Sequence, residues 1–261
     1  MGVEQQTSEC SHPAIRIDHL TKCYGNVVAV RDLSLEVRPG EVFTFLGPNG
    51  AGKTTTIKTL AGLLRPTNGQ AFIFNHNIQT EPVEAKKLIG YIPDHPYLYE
   101  KLSGRDFFHF IADLFGIDRA RANQRMEEYF ELFDLTATAD DLIENYSHGM
   151  RQKLVFSVSL MHDPRVLIVD EPMVGLDPHS ARILKTLFRR KAQKEGMAVF
   201  LSTHTLSVAE EVADRIGIIH RGDLIFVGSL GEMRARVGES GTLEDMFLTM
   251  TGTPEDIAEP K

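Results

Sequence analysis

The feature that most constrains the fold is a glycine-rich stretch set between an apolar run and a helix-like run. Residues 45–60 read FLGPNGAGKTTTIKTL, in which three glycines, a proline and an asparagine come shortly before Lys53. A turn with so few Cβ atoms lets backbone N–H groups surround a large anion, and the helix that follows points its unpaired N–H groups at the same place. The stretch therefore predicts a strand–loop–helix unit that holds a phosphate chain.

The same residues match the pattern G-x-x-x-x-G-K-[ST], whose chemistry gives two side chains a role. Lys53 supplies an ammonium group for the outer phosphates, and Thr54 offers a hydroxyl to Mg²⁺. A flexible turn that happens to carry a lysine is the simpler alternative, but the strand and helix patterns on either side favour phosphate binding. The predicted nucleotide contacts are Gly47, Pro48, Asn49, Gly50, Ala51, Gly52, Lys53, Thr54 and Thr55.

A second polar element follows an apolar run later in the chain. RVLIVDEP, residues 165–172, ends its apolar part with Asp170 and Glu171. Ligands of open parallel sheets bind beyond the carboxyl ends of the strands, which puts both carboxylates near the phosphate loop. We expect Asp170 to hold Mg²⁺ through water and Glu171 to direct water at the γ-phosphate. His204, which ends the run MAVFLSTH, is a further candidate, although a lone histidine at a strand end is more often structural.

Strand and helix patterns alternate along most of the chain, which predicts an α/β fold with a mainly parallel sheet. Turn residues at Gly25-Asn26 and Pro39-Gly40 divide the first part into short strands. Between residues 94 and 162 apolar side chains recur at helical spacing, so this block is expected to be a helical insert. The side chains at that spacing, all expected to pack in the core or between helices, are Phe107, Phe110, Ile111, Leu114, Phe115, Met126, Tyr129, Phe130 and Phe133.

Several element boundaries follow from the same patterns. Helices are expected over residues 53–64, 178–195 and 205–214, and a last helix near residues 243–250. A hairpin is expected to turn at residues 221–223, where Gly222 interrupts two apolar runs.

Composition limits the classes of partner. The net charge is −8 over 261 residues, so non-specific nucleic-acid binding, which needs a surplus of Lys and Arg, is not expected. The two cysteines, Cys10 and Cys23, make no disulfide framework, which is typical of a reducing compartment. Neither a signal peptide nor an apolar window of about 18–20 residues is evident, so we expect any membrane process to involve a separate membrane protein.

Taken in order along the chain, the motifs resemble those of one family, the nucleotide-binding subunits of ATP-binding cassette (ABC) transporters. Residues 47–54 match its Walker A motif, and residues 165–171 match its Walker B motif. YSHGMRQK, residues 146–153, is similar to the signature that separates this family from other P-loop enzymes, and GLDP, residues 175–178, matches the D-loop. The resemblance extends over about residues 14–250.

The resemblance implies an ATPase that uses ATP and Mg²⁺ and acts through a separate integral membrane subunit at the cytoplasmic face of the membrane. It also implies pairing with a second nucleotide-binding subunit, identical or different. In the family's head-to-tail pairs, Ser147 and Gly149 would complete the phosphate site of the other subunit. Tyr24 stands where the family stacks an aromatic ring on adenine, and His204 where it has its switch histidine.

The family resemblance also implies a domain organisation. A P-loop NTPase core of residues 13–93 and 163–230 would include an antiparallel β subdomain at its N-terminal end. A helical subdomain of residues 94–162 would carry the signature, and together these segments form a nucleotide-binding domain of residues 13–230. Residues 231–261 would form a short C-terminal helical tail.

Two positions depart from the family pattern. The signature has His148 where the family commonly has glycine, although Ser147 and Gly149 are kept. Asp94 stands where the family has a glutamine that contacts Mg²⁺ and reports to the membrane subunit. An aspartate can ligate the metal through oxygen but cannot donate a hydrogen bond as an amide does, so we expect metal contact with altered coupling.

The segment YIPDHPYLYEKL and the signature are similar to the ABC-2 type branch, whose members are mostly exporters. Two other classes share the phosphate loop. A soluble ABC ATPase that acts on nucleic acid or ribosomes is disfavoured because the chain has neither two cassettes nor a long coiled-coil insert. A P-loop kinase is disfavoured by the signature and the D-loop.

Overall fold

The computed structural model describes residues 12–173, 176–237 and 243–251. The strands are β1 (Ile15–Tyr24), β2 (Val27–Val37), β3 (Val42–Leu46), β4 (Asn68–Ile73), β5 (His76–Asn77), β6 (Ile89–Ile92), β7 (Val166–Asp170), β8 (Ala198–Thr203), β9 (Arg215–His220) and β10 (Asp223–Gly228). The helices are α1 (Lys53–Leu60), α2 (Pro82–Lys87), α3 (Gly104–Leu114), α4 (Arg119–Leu132), α5 (His148–Leu160), α6 (Pro178–Glu195), α7 (Leu206–Val212), α8 (Leu230–Val237) and α9 (Leu243–Thr251).

The larger sheet is mainly parallel, as the alternation of strands and helices predicts. Its order is β10-β9-β3-β8-β7-β6, and only the β9–β10 hairpin is antiparallel among these pairs. Successive residues of β3 enter different cores: Phe43 and Phe45 pack in the cluster that contains α1, whereas Val42 packs in the cluster that contains α6. Helices therefore cover both faces, which explains why every residue of β3 and of β7 is buried.

The second sheet is antiparallel and has the order β2-β1-β4-β5. Its apolar face, with Ile15 and Ile73, shares one core with Phe45 of the larger sheet and Ile57 of α1. The predicted antiparallel β subdomain is confirmed, and it packs directly behind the strand and helix that flank the phosphate loop.

The helical block packs as predicted in α4 and differently in α3. Met126, Tyr129, Phe130 and Phe133 are buried. In α3, however, Phe110 is 38% exposed and Leu114 is 68% exposed.

The prediction that the apolar stripe of α3 forms core packing was therefore wrong for part of that stripe. The buried face of α3 contains Phe107, Phe108 and Ala112, and the ring of Phe108 meets that of Phe130 edge to face at 5.7 Å between centroids. Since α4 and α5 cover this face, the stripe members Phe110 and Leu114 are turned toward the molecular surface. Ile111 and Phe115 line a surface groove, where Ile111 also packs against the core.

Element boundaries agree best where a cap residue marks the end. Helix α6 has the predicted bounds and ends at Glu195, and the residue that follows, Gly196, caps it with φ +71°. Helix α1 ends at Leu60, four residues before its predicted end, because Gly62 adopts φ +67° and breaks the helix. Helix α7 is shorter than predicted at both ends, and the β9–β10 hairpin turns where predicted.

Parts of some predictions lie outside the described residues: residues 1–11 with Cys10, Gly175 of the D-loop, and residues 252–261. Within the described part of residues 231–261 the chain is helical, in α8 and α9. In the part of the chain that the structure describes, no helix combines the length and apolarity that crossing a bilayer requires. The proposed division at residues 93 and 163 stays a prediction.

Candidate functional site

The candidate site lies at the edge where β3, β7 and β8 end. In the register of the sheet, Leu46 is paired with Thr203 and Asp170 with Ser202. The residues that follow β3, β7 and β8 therefore leave the sheet side by side, as the rule for ligand sites in parallel sheets predicts. A cavity of about 210 Å³ opens there; it is lined by Ala29, Asn49, Gly50, Gly52, Lys53, Thr54, Thr55, Asp94 and Glu171.

Two glycines of the phosphate loop are required by close backbone packing. A Cβ on Gly47 would lie 2.5 Å from the carbonyl oxygen of Ile219, and one on Gly52 would lie 2.5 Å from that of Ala29. Gly52 also has φ +113°, which disfavours any other residue. The loop is thus wedged between β2 and β9, and this wedging turns the N-terminus of α1 toward the cavity.

Helix α1 begins at Lys53 without a side-chain cap, and its first turn contains no acidic residue. The first N–H groups of a helix have no partner within the helix, and together they carry about half a positive charge. The end of α1 is therefore suited to an anion, as the sequence predicts.

Lys53 is held inside this loop with only 6% of its side chain exposed. Its Nζ donates hydrogen bonds to the carbonyl oxygens of Gly47 at 2.7 Å and Pro48 at 3.2 Å, and lies 3.7 Å from Oε1 of Glu171. Burial lowers the pKa of Lys53, and the negative charges of Glu171 and Asp170 oppose the shift. The ammonium group is positioned by the backbone before any ligand arrives.

The two acidic residues after β7 have different surroundings. Asp170 is 1% exposed and accepts a hydrogen bond from the Ser202 hydroxyl. Burial raises the pKa of Asp170, although hydrogen bonds from Ser202 and Thr54 oppose the rise. The carboxylate of Asp170 is therefore enclosed beside the Thr54 hydroxyl, an arrangement that offers two oxygens to one cation.

Glu171 has its backbone at φ +49°, a conformation that is uncommon for a non-glycine residue. Its N–H donates to the carbonyl oxygen of Ser202, Oε2 accepts from the Thr203 hydroxyl at 3.2 Å, and Oε1 lies 2.9 Å from Nδ1 of His204. Thr203 and His204 thus hold this carboxylate at the cavity, and Ser202 holds the backbone of the same residue. His204 is brought to Glu171, as its position in the sequence suggests.

Ser147, Gly149 and Tyr24 do not line this cavity. Ser147 caps α5, where its Oγ accepts a hydrogen bond from the N–H of Met150 at 3.2 Å, and Gly149 lies in the first turn of that helix. Tyr24 lies at the tip of the β1–β2 hairpin with its side chain half exposed. The ammonium nitrogen of Lys22, Nζ, lies over the Tyr24 ring at 5.1 Å from its centre.

Asp94 also lines the cavity, and its contact with Mg²⁺ stays a prediction. One of its oxygens, Oδ2, lies 2.8 Å from Nδ1 of His95. The exposed side chain of His95 therefore already contacts the Asp94 carboxylate.

Three residues that contact the site were missed by the sequence analysis. Ser202 and Thr203 hold the two carboxylates, and the carbonyl oxygen of Ala29 contacts Gly52. The signal for the first two was present, because two hydroxyl residues interrupt the apolar run MAVFLSTH just before His204. No local signal marks Ala29, since only the packing of β2 brings it to the loop.

Comparison with proteins of known sequence gives consistent matches. The family model described as ABC transporter matches residues 30–174, which is more than half of the chain. The linearmycin resistance ATP-binding protein LnrL of Bacillus subtilis is 35% identical over 92% of this chain and 76% of its own length. The bacitracin transport ATP-binding protein BcrA of Bacillus licheniformis is 38% identical over 81% of this chain and 68% of its own length.

Solved structures agree with these matches. A protein described as the ATP-binding subunit of an ABC transporter superposes with a TM-score of 0.86 at 28% identity, covering 91% of this chain and 99% of its own. The ATP-binding cassette MJ0796, in a dimer bound to ADP and phosphate, gives a TM-score of 0.76 over 83% of this chain and 98% of its own; at 22% identity it supports the fold alone. The match of the family model over most of the site, together with relatives of this similarity, shows that this chain belongs to the ABC transporter family, as an ATP-binding subunit with ATPase activity.

Proposed function

We propose that this chain binds ATP with Mg²⁺ at the phosphate loop, and that two such cassettes close over two nucleotides to drive a separate membrane subunit. The observation that carries the proposal is the meeting of Lys53, Asp170 and Glu171 at one sheet edge, beside the uncapped start of α1. A triphosphate tail would accept hydrogen bonds from the loop amides and from Lys53, whose buried charge it would compensate.

The proposed catalytic base is the carboxylate of Glu171, which is held by residues at the end of β8. Glu171 accepts the proton of an attacking water and directs that water at the γ-phosphate. Thr203 and His204 keep its two oxygens in place through the contacts described above. His204 is half exposed, and in this proposal it also contacts the γ-phosphate of the bound nucleotide.

The donor atoms fit Mg²⁺ better than a transition metal. Thr54, Asp170 and Asp94 offer hydroxyl and carboxylate oxygens, the ligands that Mg²⁺ prefers. Among the described residues no group of three or more His, Cys, Asp or Glu is placed to hold a metal, so the ion would keep phosphate and water ligands, as Mg²⁺ does with nucleotides. When bound, the ion neutralises charge that develops on the β- and γ-phosphate oxygens.

Two proposed contacts involve residues away from the cavity. Tyr24 is expected to stack on adenine with the ring face that Lys22 does not approach. Ser147 and Gly149, at the start of α5, are expected to meet the γ-phosphate bound by a second cassette. The family dimerises and pairs with membrane subunits; the head-to-tail arrangement, with an identical or a different partner cassette, is our proposal.

A groove beside the helical block is the proposed docking surface for the membrane subunit. We call this cavity of about 410 Å³ the partner groove. It is largely apolar, and its lining includes Tyr97, Leu98, Phe107, Ile111 and Phe115. Tyr97 is 92% exposed and continues the apolar lining of the groove, and contiguous exposed apolar surface of this kind is typical of protein interaction sites. Seated there, the membrane subunit would hold the chain at the cytoplasmic face of the membrane.

Export is the proposed direction of transport. The names of LnrL, BcrA and the daunorubicin/doxorubicin resistance ATP-binding protein DrrA refer to resistance or bacitracin transport. DrrA, from Streptomyces peucetius, is 37% identical over 87% of this chain. Removal of a toxic compound is the simplest activity that fits those names. The transported compound would be selected by the membrane subunit, so this chain's own site recognises the nucleotide.

Calorimetry tests the core of the proposal. The full chain is titrated with ATP in the presence of Mg²⁺, beside the variants Lys53→Met and Lys58→Met. Lys58 is an exposed lysine of the same helix and serves as the matched control. We expect binding by the wild type and by Lys58→Met, and a loss of affinity of about tenfold or more for Lys53→Met, because a buried charge-assisted contact is removed. Absence of any heat of ATP binding to folded wild-type protein would contradict the proposal.

A further inference from the structure

One arginine joins the signature turn to the rim of the partner groove. Arg151, in the first turns of α5, donates hydrogen bonds to three acceptors. Its Nη1 donates to Oε1 of Glu100 at 2.8 Å, its Nε to the carbonyl oxygen of Tyr146 at 3.2 Å, and its Nη2 to that of Glu144 at 3.2 Å. The guanidinium group of Arg151 thus contacts both Tyr146, the residue before Ser147, and the segment that includes Glu100.

Backbone contacts run beside this fork. The N–H of Ile143 donates to the carbonyl oxygen of Leu102 at 2.9 Å, and the N–H of Glu144 donates to that of Glu100 at 3.0 Å. The residues 97–102, which we call the rim segment, and the turn that precedes Ser147 therefore form one hydrogen-bonded unit. A partner seated on the rim would press directly on this unit.

The rim segment is also anchored to the wall of the groove. The ring of Tyr99 meets the rings of Phe107 and Phe110 edge to face, at 6.1 and 5.4 Å between centroids. Leu98 lines the groove and packs against the main core of the helical block. One end of the unit is therefore in the groove wall, and the other is the N-terminus of α5.

We propose that Arg151 is a positioning residue, which through Glu100 couples the position of the rim segment to the position of Ser147. This inference rests on the proposed function, in which Ser147 contacts nucleotide bound by a second cassette. The coupling acts in the closed pair, because Ser147 has no part in the cavity of its own chain. Arg151 therefore affects turnover and leaves the affinity of a single chain for ATP unchanged.

The shape of the contact requires arginine. The guanidinium presents its donors in a fixed plane, and here they serve a carboxylate and two carbonyl oxygens at once. A lysine at this position would keep the charge but could replace at most one of the three hydrogen bonds. Arg151→Lys is therefore expected to behave more like Arg151→Gln than like the wild type.

Steady-state kinetics and calorimetry on the full chain test the proposal. Arg151→Gln, Arg151→Lys, Glu100→Gln and the double variant Glu100→Gln/Arg151→Gln are compared. We expect kcat to fall about threefold to tenfold in each single variant. The kcat of the double variant should be no lower than that of Arg151→Gln, because both substitutions remove the same contact between Arg151 and Glu100. The Kd for ATP with Mg²⁺ stays within twofold of the wild type.

Lys101→Gln is the matched control. Lys101 pairs with Glu144 and so spans the same two segments, but its side chain is 82% exposed and this contact is a surface ion pair. We expect its kcat to stay within twofold of the wild type. Wild-type kcat in both Arg151→Gln and Glu100→Gln would overturn the proposal, and so would a loss in Lys101→Gln as large as theirs.

Amide hydrogen exchange separates this proposal from the proposed function. In Glu100→Gln, which removes an exposed carboxylate and leaves the backbone contacts, exchange is expected to rise at residues 143–151 and to be unchanged at residues 47–55. Unchanged exchange at residues 143–151 in both Glu100→Gln and Arg151→Gln would refute the link even if the kinetics moved. If wild-type protein neither binds nor hydrolyses ATP, the proposed function fails while the exchange result still decides the link.

Discussion

The phosphate loop and the signature turn are both N-termini of helices, yet the fold completes them to different degrees. At the phosphate loop, Lys53 is buried, its ammonium group is held by two carbonyl oxygens, and two strands press on the glycines. At the signature turn, Ser147 is exposed and its hydroxyl oxygen caps its own helix. The first site is formed within one chain; the second presents an exposed helix N-terminus, whose ligand would be carried by another molecule in the proposed pair.

The two sites also differ in backbone conformation. Glu171, with φ +49°, and Gly52, with φ +113°, lie at the phosphate site, where neighbouring strands hold them in place. Ser147 has an extended backbone that any residue adopts. The site that acts within the chain is held rigidly, whereas the site that would act between chains is a simple capped turn.

The largest expected effect comes from Glu171→Gln, which tests whether the phosphate site holds the catalytic base. An amide keeps the shape of the side chain but cannot accept the proton, so kcat should fall roughly 10²- to 10⁴-fold. ATP should then hold a dimer together, visible by size-exclusion chromatography with ATP and Mg²⁺. Glu210→Gln, an exposed glutamate on α7, is the control and should leave turnover unchanged. Sustained turnover in Glu171→Gln would remove this residue from its role.

Gly52→Ala against Gly50→Ala tests whether the rigidity of the phosphate loop comes from packing. Both glycines have positive φ, but a Cβ on Gly52 would lie 2.5 Å from a backbone oxygen, whereas one on Gly50 would have no atom within 4 Å. We expect the free energy of unfolding to drop by about 2–4 kcal/mol for Gly52→Ala and by about 1 kcal/mol for Gly50→Ala, measured by urea denaturation. Equal losses would mean that φ alone decides the cost.

Ser147→Ala against Ser103→Ala tests whether the signature turn is more than a cap. Ser103 caps α3 by the same geometry, accepting from the N–H of Asp106, so either change should lower the free energy of unfolding by about 1 kcal/mol. Ser147→Ala should in addition lower kcat about tenfold, because a hydrogen bond to a charged phosphate is lost. If the two variants have the same kcat, Ser147 acts as a cap and the contrast between the two helix ends disappears.

A smaller effect is expected at Tyr24, which extends the phosphate site toward the base. Tyr24→Ala should raise the Kd for ATP about fivefold, since stacking of a base on an aromatic ring is lost, whereas Tyr24→Phe should bind as the wild type does. Titration with inorganic triphosphate, which has no base, is the control and should show no difference between the variants. A change in triphosphate affinity would place the effect in the loop instead.

The smallest effect is expected for Asp94→Gln, where the phosphate site meets the rim of the partner groove. Exchanging a carboxylate for an amide weakens the contact with a hard cation, so the Mg²⁺ concentration for half-maximal ATPase activity should rise about threefold. Activity is followed over a magnesium titration at saturating ATP, with His95→Gln measured beside it because His95 contacts this carboxylate. Hydrolysis and magnesium dependence equal to those of the wild type would argue against metal contact by Asp94.

Much of the fold could be predicted because the signals were local. Glycine at a helix end, the alternation of strand and helix patterns, and apolar runs flanked by turn residues gave the mainly parallel sheet and the bounds of α6. The misplaced face of α3 had a different cause. Phe107, Phe108, Phe110 and Phe115 make two possible apolar stripes, and the rotation of the helix is set by what packs on it.

The sequence by itself determined the chemistry of the phosphate site. The order and spacing of Gly47, Lys53, Asp170 and Glu171 specify a loop, a helix end and two carboxylates at strand ends, because each depends on neighbouring residues in the chain. Only the tertiary structure decided which distant groups support them. Ser202 and Thr203 orient the carboxylates, Ala29 wedges the loop, and Arg151 reaches Glu100, since these contacts join residues far apart in sequence and depend on how the strands and helices pack.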